Sequence, residues 1–132
     1  MSNRMLFLDD SPERKTPDGW DRVWSYADFV EYISFYGVPK YISFDHDLGF
    51  EHYPLGEQNP GAKIPYSVYK EKTGYHAALY LVEHDMFPEV AIVHSFNVVG
   101  AKNIIDLLGR YCDVLRVPYG HHCPLYNEKT NG

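Results

Sequence analysis

Long apolar runs, excess positive charge and cysteine are all scarce in this 132-residue chain. Each shortage excludes something. The apolar run in "MSNRMLFLDD" is far too short for a signal peptide, or for a bilayer span of about 20 apolar residues. Basic residues number 12 against 18 acidic ones, a formal net charge of −6. There is then no general electrostatic pull toward nucleic acid or an anionic membrane. Only Cys112 and Cys123 occur, too few for a disulfide framework, so a reducing cytoplasm is the expected location. Internal repeats and low-complexity segments are also missing.

What is present is apolar and aromatic: 45% hydrophobic residues, 12 Tyr and 7 Phe. That composition supports one domain over residues 1–132 with a buried core. "RMLFLDD" (4–10) is a short apolar run closing in two carboxylates and reads as a buried strand. "SPERKTPDGW" (11–20), with two prolines and a glycine, reads as loop. The Ser25–Asp28 stretch resembles a capping box, and Val23, Ala27, Val30 and Ile33 share a helical face that stops at Gly37 and Pro39. "KYISFD" (40–45), "EVAIVHS" (89–95) and "DVLRV" (113–117) read as further strands. "TGYHAALYLVEHDM" (73–86), with Thr73 as N-cap, and "GAKNIIDLLG" (100–109) read as helices. Residues 119–132 read as an irregular tail. Alternating, almost wholly apolar strands and helices predict an open parallel sheet covered on both faces, a three-layer αβα domain with about four core strands. Residues 48–72 carry no clear element. Loops of that length are usually functional or disordered, and Phe50, His52, Tyr53, Tyr66 and Tyr69 favour a lid over a site.

In open parallel sheets, ligands bind outside the carboxyl ends of the strands. The first strand ends at Asp9-Asp10, the second at Asp45-His46-Asp47, the third at His94-Ser95. Parallel strands share a direction, so these groups are expected along one rim. Crowded carboxylates repel, and one has its pKa raised unless a cation neutralises it. Hard oxygen ligands at that density suit Mg2+ (or Mn2+), and metal-assisted phosphate chemistry is the natural use. Ser95 is a candidate donor to a phosphate oxygen, and His46 or His94 a candidate general acid or base. Taken alone, an Asp after a strand is most often a cap or turn residue. Four carboxylates, a His and a Ser at three strand ends together indicate a polar site.

Asn97 and Gly100 precede the third helix and read either as a cap or as an anion pocket at a helix N-terminus, with Lys102 adding charge. Thr73-Gly74 poses the same alternative. His121, His122 and Cys123, with Cys112 earlier, lack the usual spacing of zinc ligands. His76 and His84 read as surface or boundary residues.

In order, "LFLDD", "ISFDHDLG", "TGYH" and "VHSFNVVGAKNI" resemble the motifs of the cyclic-phosphate-processing receiver-like domain family, across residues 5–108. The resemblance implies a receiver or flavodoxin-like fold, with Asp9 and Asp10 holding Mg2+. It places Asp45 where receivers carry the phospho-accepting aspartate, and Ser95 at the hydroxyl that contacts phosphate. It also implies action on cyclic phosphates. Departures are His76 where the family usually has Asp, and "LRVPYG", with Arg116 in place of a receiver's lysine. One strand–helix unit looks missing between the first helix and "KYISFD", and residues 48–72 look like an insertion.

The expected function is a metal-dependent phosphoesterase acting on a 2′,3′-cyclic phosphate end or a cyclic nucleotide. Asp9, Asp10 and Asp45 would hold the metal. Asp45, His46, Asp47 and His94 would carry catalysis, and Thr73, Ser95, Asn97 and Lys102 would bind phosphate. Aromatics of residues 48–72 would stack on a base. In a covalent variant Asp45 attacks phosphorus and Asp47 protonates the leaving group. Partners are a nucleotide or RNA end, without a membrane or an extended nucleic-acid surface; a homo-oligomer is left open. The competing readings are a non-catalytic receiver-like module that binds a nucleotide signal or a protein partner, and an ordinary phospho-acceptor receiver.

Overall fold

The computed structural model describes residues 3–48, 72–118 and 122–127. Five strands form one all-parallel sheet: β1 (Met5–Leu8), β2 (Asp21–Val23), β3 (Tyr41–Phe44), β4 (Val90–Val93) and β5 (Asp113–Arg116), in the order β2–β1–β3–β4–β5. Among the described residues three helices accompany them: α1 (Tyr26–Tyr36), α2 (Gly74–Glu83) and α3 (Val98–Leu108), and a turn of 3-10 helix covers Pro124–Asn127. This is the expected receiver or flavodoxin-like α/β class. No described helix is long and apolar enough to cross a membrane.

The helices begin where side chains can satisfy their free N–H groups. Ser25 Oγ accepts from the Asp28 N–H at 3.1 Å, Thr73 Oγ1 from the Tyr75 N–H at 3.1 Å, and Asn97 Oδ1 from the Gly100 N–H at 2.9 Å. Asn97 thus starts α3 two residues ahead of the expected position.

Side chains alternate across a strand, so parity decides which face each residue covers. Leu6, Leu8, Ile42, Phe44, Ala91 and Val93 pack in one core with the helix residues Phe29, Ile33, Ala77, Leu81, Ile104 and Leu108. Met5, Phe7, Tyr41 and Ile92 form a second core with Trp20, Val117 and Cys123, backed by Leu125 and Tyr126. All described helices therefore cover one face. Among the described residues, the segment carrying Trp20 and the C-terminal turn pack on the other. Two prolines and a glycine in residues 11–20 keep helix from forming in that segment.

The sheet has one strand more than the four read from sequence. β2 lies in the stretch read as loop and helix start, so Val23 belongs to a strand and not to the α1 face. Two of its three residues are charged, and as an edge strand it pairs with β1 alone; its sequence therefore shows no apolar run. The unit expected to be missing before "KYISFD" is placed differently too: β2 precedes α1, and no described helix joins β1 to β2. The proposed lid lies almost wholly outside the described residues.

Candidate functional site

Backbone hydrogen bonds carry the sheet one residue past the strands. The Asp45 N–H donates to Leu8 O at 2.9 Å, His94 N–H to Phe44 O at 2.9 Å, and Asp9 N–H to Val23 O at 3.2 Å. Register is thereby fixed, and Asp9, Asp45 and His94 inherit the parity of Phe7, Ser43 and Ile92. All three face the side opposite α1, α2 and α3. His46 and Ser95, one residue further, turn toward the helices.

Carboxylate oxygens of Asp9, Asp10 and Asp45 lie within 4.8 Å of one another. Asp9 and Asp45 are buried, while Asp10 is half-exposed. Burial, then the negative charges of Asp9 and Asp47, push the Asp45 carboxyl well above the ordinary aspartate value despite Arg14. Burial acts on Asp9 in the same sense. The hydrogen bonds from His94 and the Ser11 N–H, with the charge of Arg14, outweigh it and hold Asp9 below that value. Opposite shifts of two carboxyls at this spacing are what mutual repulsion favours. The all-oxygen donor set fits a hard divalent cation.

Asp9 is tightly held. Its Oδ1 accepts from the Ser11 N–H at 2.8 Å, and its Oδ2 lies 3.0 Å from His94 Nε2 and 3.4 Å from Arg14 Nε. Arg14 Nη1 also donates to His94 O at 2.6 Å. Arg22 clamps the segment carrying Arg14, donating to the carbonyls of Asp9, Ser11 and Arg14 and to Thr16 Oγ1 at 2.9–3.0 Å. His94 stacks on Phe7 with ring centroids 4.3 Å apart, and its Nδ1 lies 2.7 Å from Ser43 Oγ. Burial and the charges of Arg14 and Arg22 lower His94 to about 4 against the pull of Asp9, so its ring is neutral at pH 7. With both nitrogens engaged, His94 holds Asp9 rather than facing a reactant as a free acid or base.

Asp47 forms a second knot. Its Oδ1 lies 2.6 Å from His46 Nδ1 and accepts from Asn97 Nδ2 at 3.1 Å. The His46 ring is fully buried against Gly100, where a Cβ would sit 2.3 Å from the ring. Gly100→Ala should therefore expel the His46 ring and loosen Asp47. The expected cost is about 1–3 kcal/mol of stability, read by thermal melting, with the His46 ring NMR signals displaced. Unmoved His46 signals would refute the contact.

Asp9, Asp45, Asp47 and His94 line a cavity of about 850 Å3, together with Arg14, Phe96 and Tyr126. The residues expected to bind phosphate are placed elsewhere. Lys102 is exposed and pairs with Asp106 on α3. Thr73 is buried as the cap of α2, bonded to Tyr75 and His76. Ser95 is buried and accepts from the Asn97 N–H at 3.0 Å, while Asn97 caps α3 and braces Asp47. For each of these short polar residues, a nearby helix N-terminus supplies the donors that consume the side chain. His46, too, points away from the cavity. Arg116 donates to Val117 O at 2.7 Å and does not line the cavity, whereas Arg14 does. His121 lies outside the described residues, and Cys112 and Cys123 are free thiols.

Sequence reading missed Arg14, Arg22, Ser43 and Tyr126. Ser43, a small hydroxyl inside the otherwise bulky strand "YISF", carried a visible signal. Arg14 and Tyr126 carried none, because loop and tail residues have no periodicity from which to infer direction.

Strand order and a C-terminal-edge carboxylate trio together define a receiver-like α/β domain. The family model for the cyclic-phosphate processing receiver domain matches residues 4–110. The chain belongs to that family. No curated protein and no solved structure matches it.

Proposed function

We propose that this receiver-like domain is a metal-dependent phosphoesterase acting on a cyclic phosphate, either a 2′,3′-cyclic phosphate end or a cyclic nucleotide. The observation that carries the reading is the meeting of Asp9, Asp10 and Asp45 within 4.8 Å beside a cavity of about 850 Å3. That space exceeds what a single metal and its waters need and accommodates a nucleotide-sized ligand. Asp9, Asp10 and Asp45 would hold Mg2+ or Mn2+, which when bound screens phosphate oxygens and lowers the pKa of water. Arg14, lining the cavity, would pair with the phosphate charge. Asp47, braced by His46 and Asn97, would accept the proton of the attacking water. His94 would keep Asp9 oriented. Residues 11–18 and the C-terminal turn would limit access to small ligands, in keeping with the net negative charge.

The test is turnover of 2′,3′-cyclic mononucleotides and 3′,5′-cyclic nucleotides with Mg2+ or Mn2+, followed by phosphorus NMR. Ring opening that Asp45→Asn abolishes is expected; wild-type protein that opens none of them refutes the reading. One observation favours a binding module instead: Thr73, Ser95, Asn97 and Lys102 do not line the cavity, leaving few groups to orient a reacting phosphate. Calorimetric binding without product would establish that alternative.

A further inference from the structure

The C-terminal turn reaches the acidic trio through an unbroken chain of side chains. Tyr126 OH lies 2.7 Å from Ser43 Oγ, Ser43 Oγ 2.7 Å from His94 Nδ1, and His94 Nε2 3.0 Å from Asp9 Oδ2. Its polarity follows from which groups can donate. An ionised carboxylate only accepts, so His94 Nε2 carries the proton. The neutral ring then offers Nδ1 as an acceptor, Ser43 must donate to it, and Tyr126 must donate to Ser43. Ser43 and His94 are buried. The Tyr126 ring is edge-packed on Phe7 and Trp20, with centroids 5.9 and 5.3 Å away. Four residues, from just past β1, from β3, from just past β4 and from the C-terminal turn, thus form one directed line, and Tyr126 lies beyond the family-matched residues 4–110.

We propose that Tyr126 and Ser43 are positioning residues that lock the His94 ring and, through it, aim the Asp9 carboxylate at a divalent cation. The inference rests on the reading of Asp9 as a metal ligand. Outer partners of metal ligands fix ring tautomer and carboxylate orientation, and losing them weakens metal binding by roughly 10- to 100-fold. In a hydrogen-bonded line each donor also polarises the next, so the members should act as a unit.

The test uses wild type, Ser43→Ala, Tyr126→Phe and the double variant. In metal-free, 15N-labelled protein, the wild-type His94 ring should show a protonated Nε2 and a hydrogen-bonded, unprotonated Nδ1. Both single variants should move the Nδ1 resonance toward that of an unbonded ring nitrogen. Calorimetry with Mn2+ should show affinity weakened by roughly 10-fold in each single variant, and the double variant should be no weaker than the worse single one. Tyr126→Phe keeps the packed ring, so it decides the matter alone should Ser43→Ala fail to fold. An unchanged Nδ1 signal or an unchanged Mn2+ affinity in Tyr126→Phe overturns the proposal, as does strict additivity in the double variant. Wild-type protein that takes up no Mn2+ overturns the metal reading and this one with it. Absence of turnover on cyclic phosphates sinks only the phosphoesterase reading.

Discussion

Asp45→Asn should make the metal-free protein more heat-stable while removing the stabilisation that Mn2+ would confer on the wild type at the proposed site. Asp45 is buried, and desolvation with the neighbouring charges of Asp9 and Asp47 raises its pKa well above the ordinary 3.8. In the unfolded chain the same carboxyl ionises freely. Ionisation within the fold is therefore a cost, which grows as pH rises from the unfolded value through the raised folded one. An amide of the same shape removes that cost at neutral pH. As pH falls from the raised folded value toward the unfolded one, relief of this cost should raise the wild-type melting temperature, and that slope should flatten in Asp45→Asn.

Metal reverses the balance. Free Mn2+ at 100 times the dissociation constant stabilises a protein that binds it only when folded by about 2.7 kcal/mol. Under the proposed metal site Asp45→Asn removes a direct ligand, so its affinity should fall by more than the roughly 10- to 100-fold that outer partners cost. Thermal melting at several pH values, with and without Mn2+, reads both effects. A lower metal-free melting temperature in Asp45→Asn, or a full Mn2+ shift retained, would contradict the crowded-carboxylate account.

Gly74→Ala should cost more than about 3 kcal/mol and leave little folded protein. A Cβ on Gly74 would lie 1.8 Å from the Asp45 carbonyl oxygen, 2.9 Å from the Asp45 carbonyl carbon and 3.1 Å from His46 Cα. All three are backbone atoms, so no rotamer change relieves the clash. The Gly74 N–H also donates to His46 O at 2.8 Å, tying the first turn of α2 to the site strand. Stabilities of 5–15 kcal/mol are typical, so a loss of this size removes a large share. Chemical denaturation measures it. Gly19→Ala is the control: nothing lies within 4 Å of its Cβ, leaving only the strain of a positive φ of 83°. Equal costs at the two positions would mean that the close approach of α2 to Asp45 is not what Gly74 serves.

Much of this arrangement is legible in the residues themselves. Asp9, Asp10 and Asp45 stand where apolar runs stop, and a parallel sheet leaves them one rim on which to meet. Helix starts at Ser25 and Thr73 are equally plain, since each residue type caps. What the chain hides is side-chain direction after a strand ends. His46 and His94 look alike in sequence, yet parity turns one toward α3 and the other toward Asp9. Hidden too is the choice between a cap and a ligand for Thr73, Ser95 and Asn97, which depends on how closely a helix N-terminus approaches. β2 is invisible because a charged edge strand has no apolar signature. Arg14 and Tyr126 come from segments whose course depends on what they pack against.

The even-and-odd order of the strands carries one last consequence, for how this protein can change over time. Asp9, Asp45 and His94 share a side only because β1, β3 and β4 stay in step. A single inserted or deleted residue within any of them would swing the polar residue at that strand's end to the opposite side while leaving every motif intact to the eye. Length variation should therefore be confined to the connecting segments, and a related chain whose strands differ by one residue should be expected to keep the architecture but lose the chemistry.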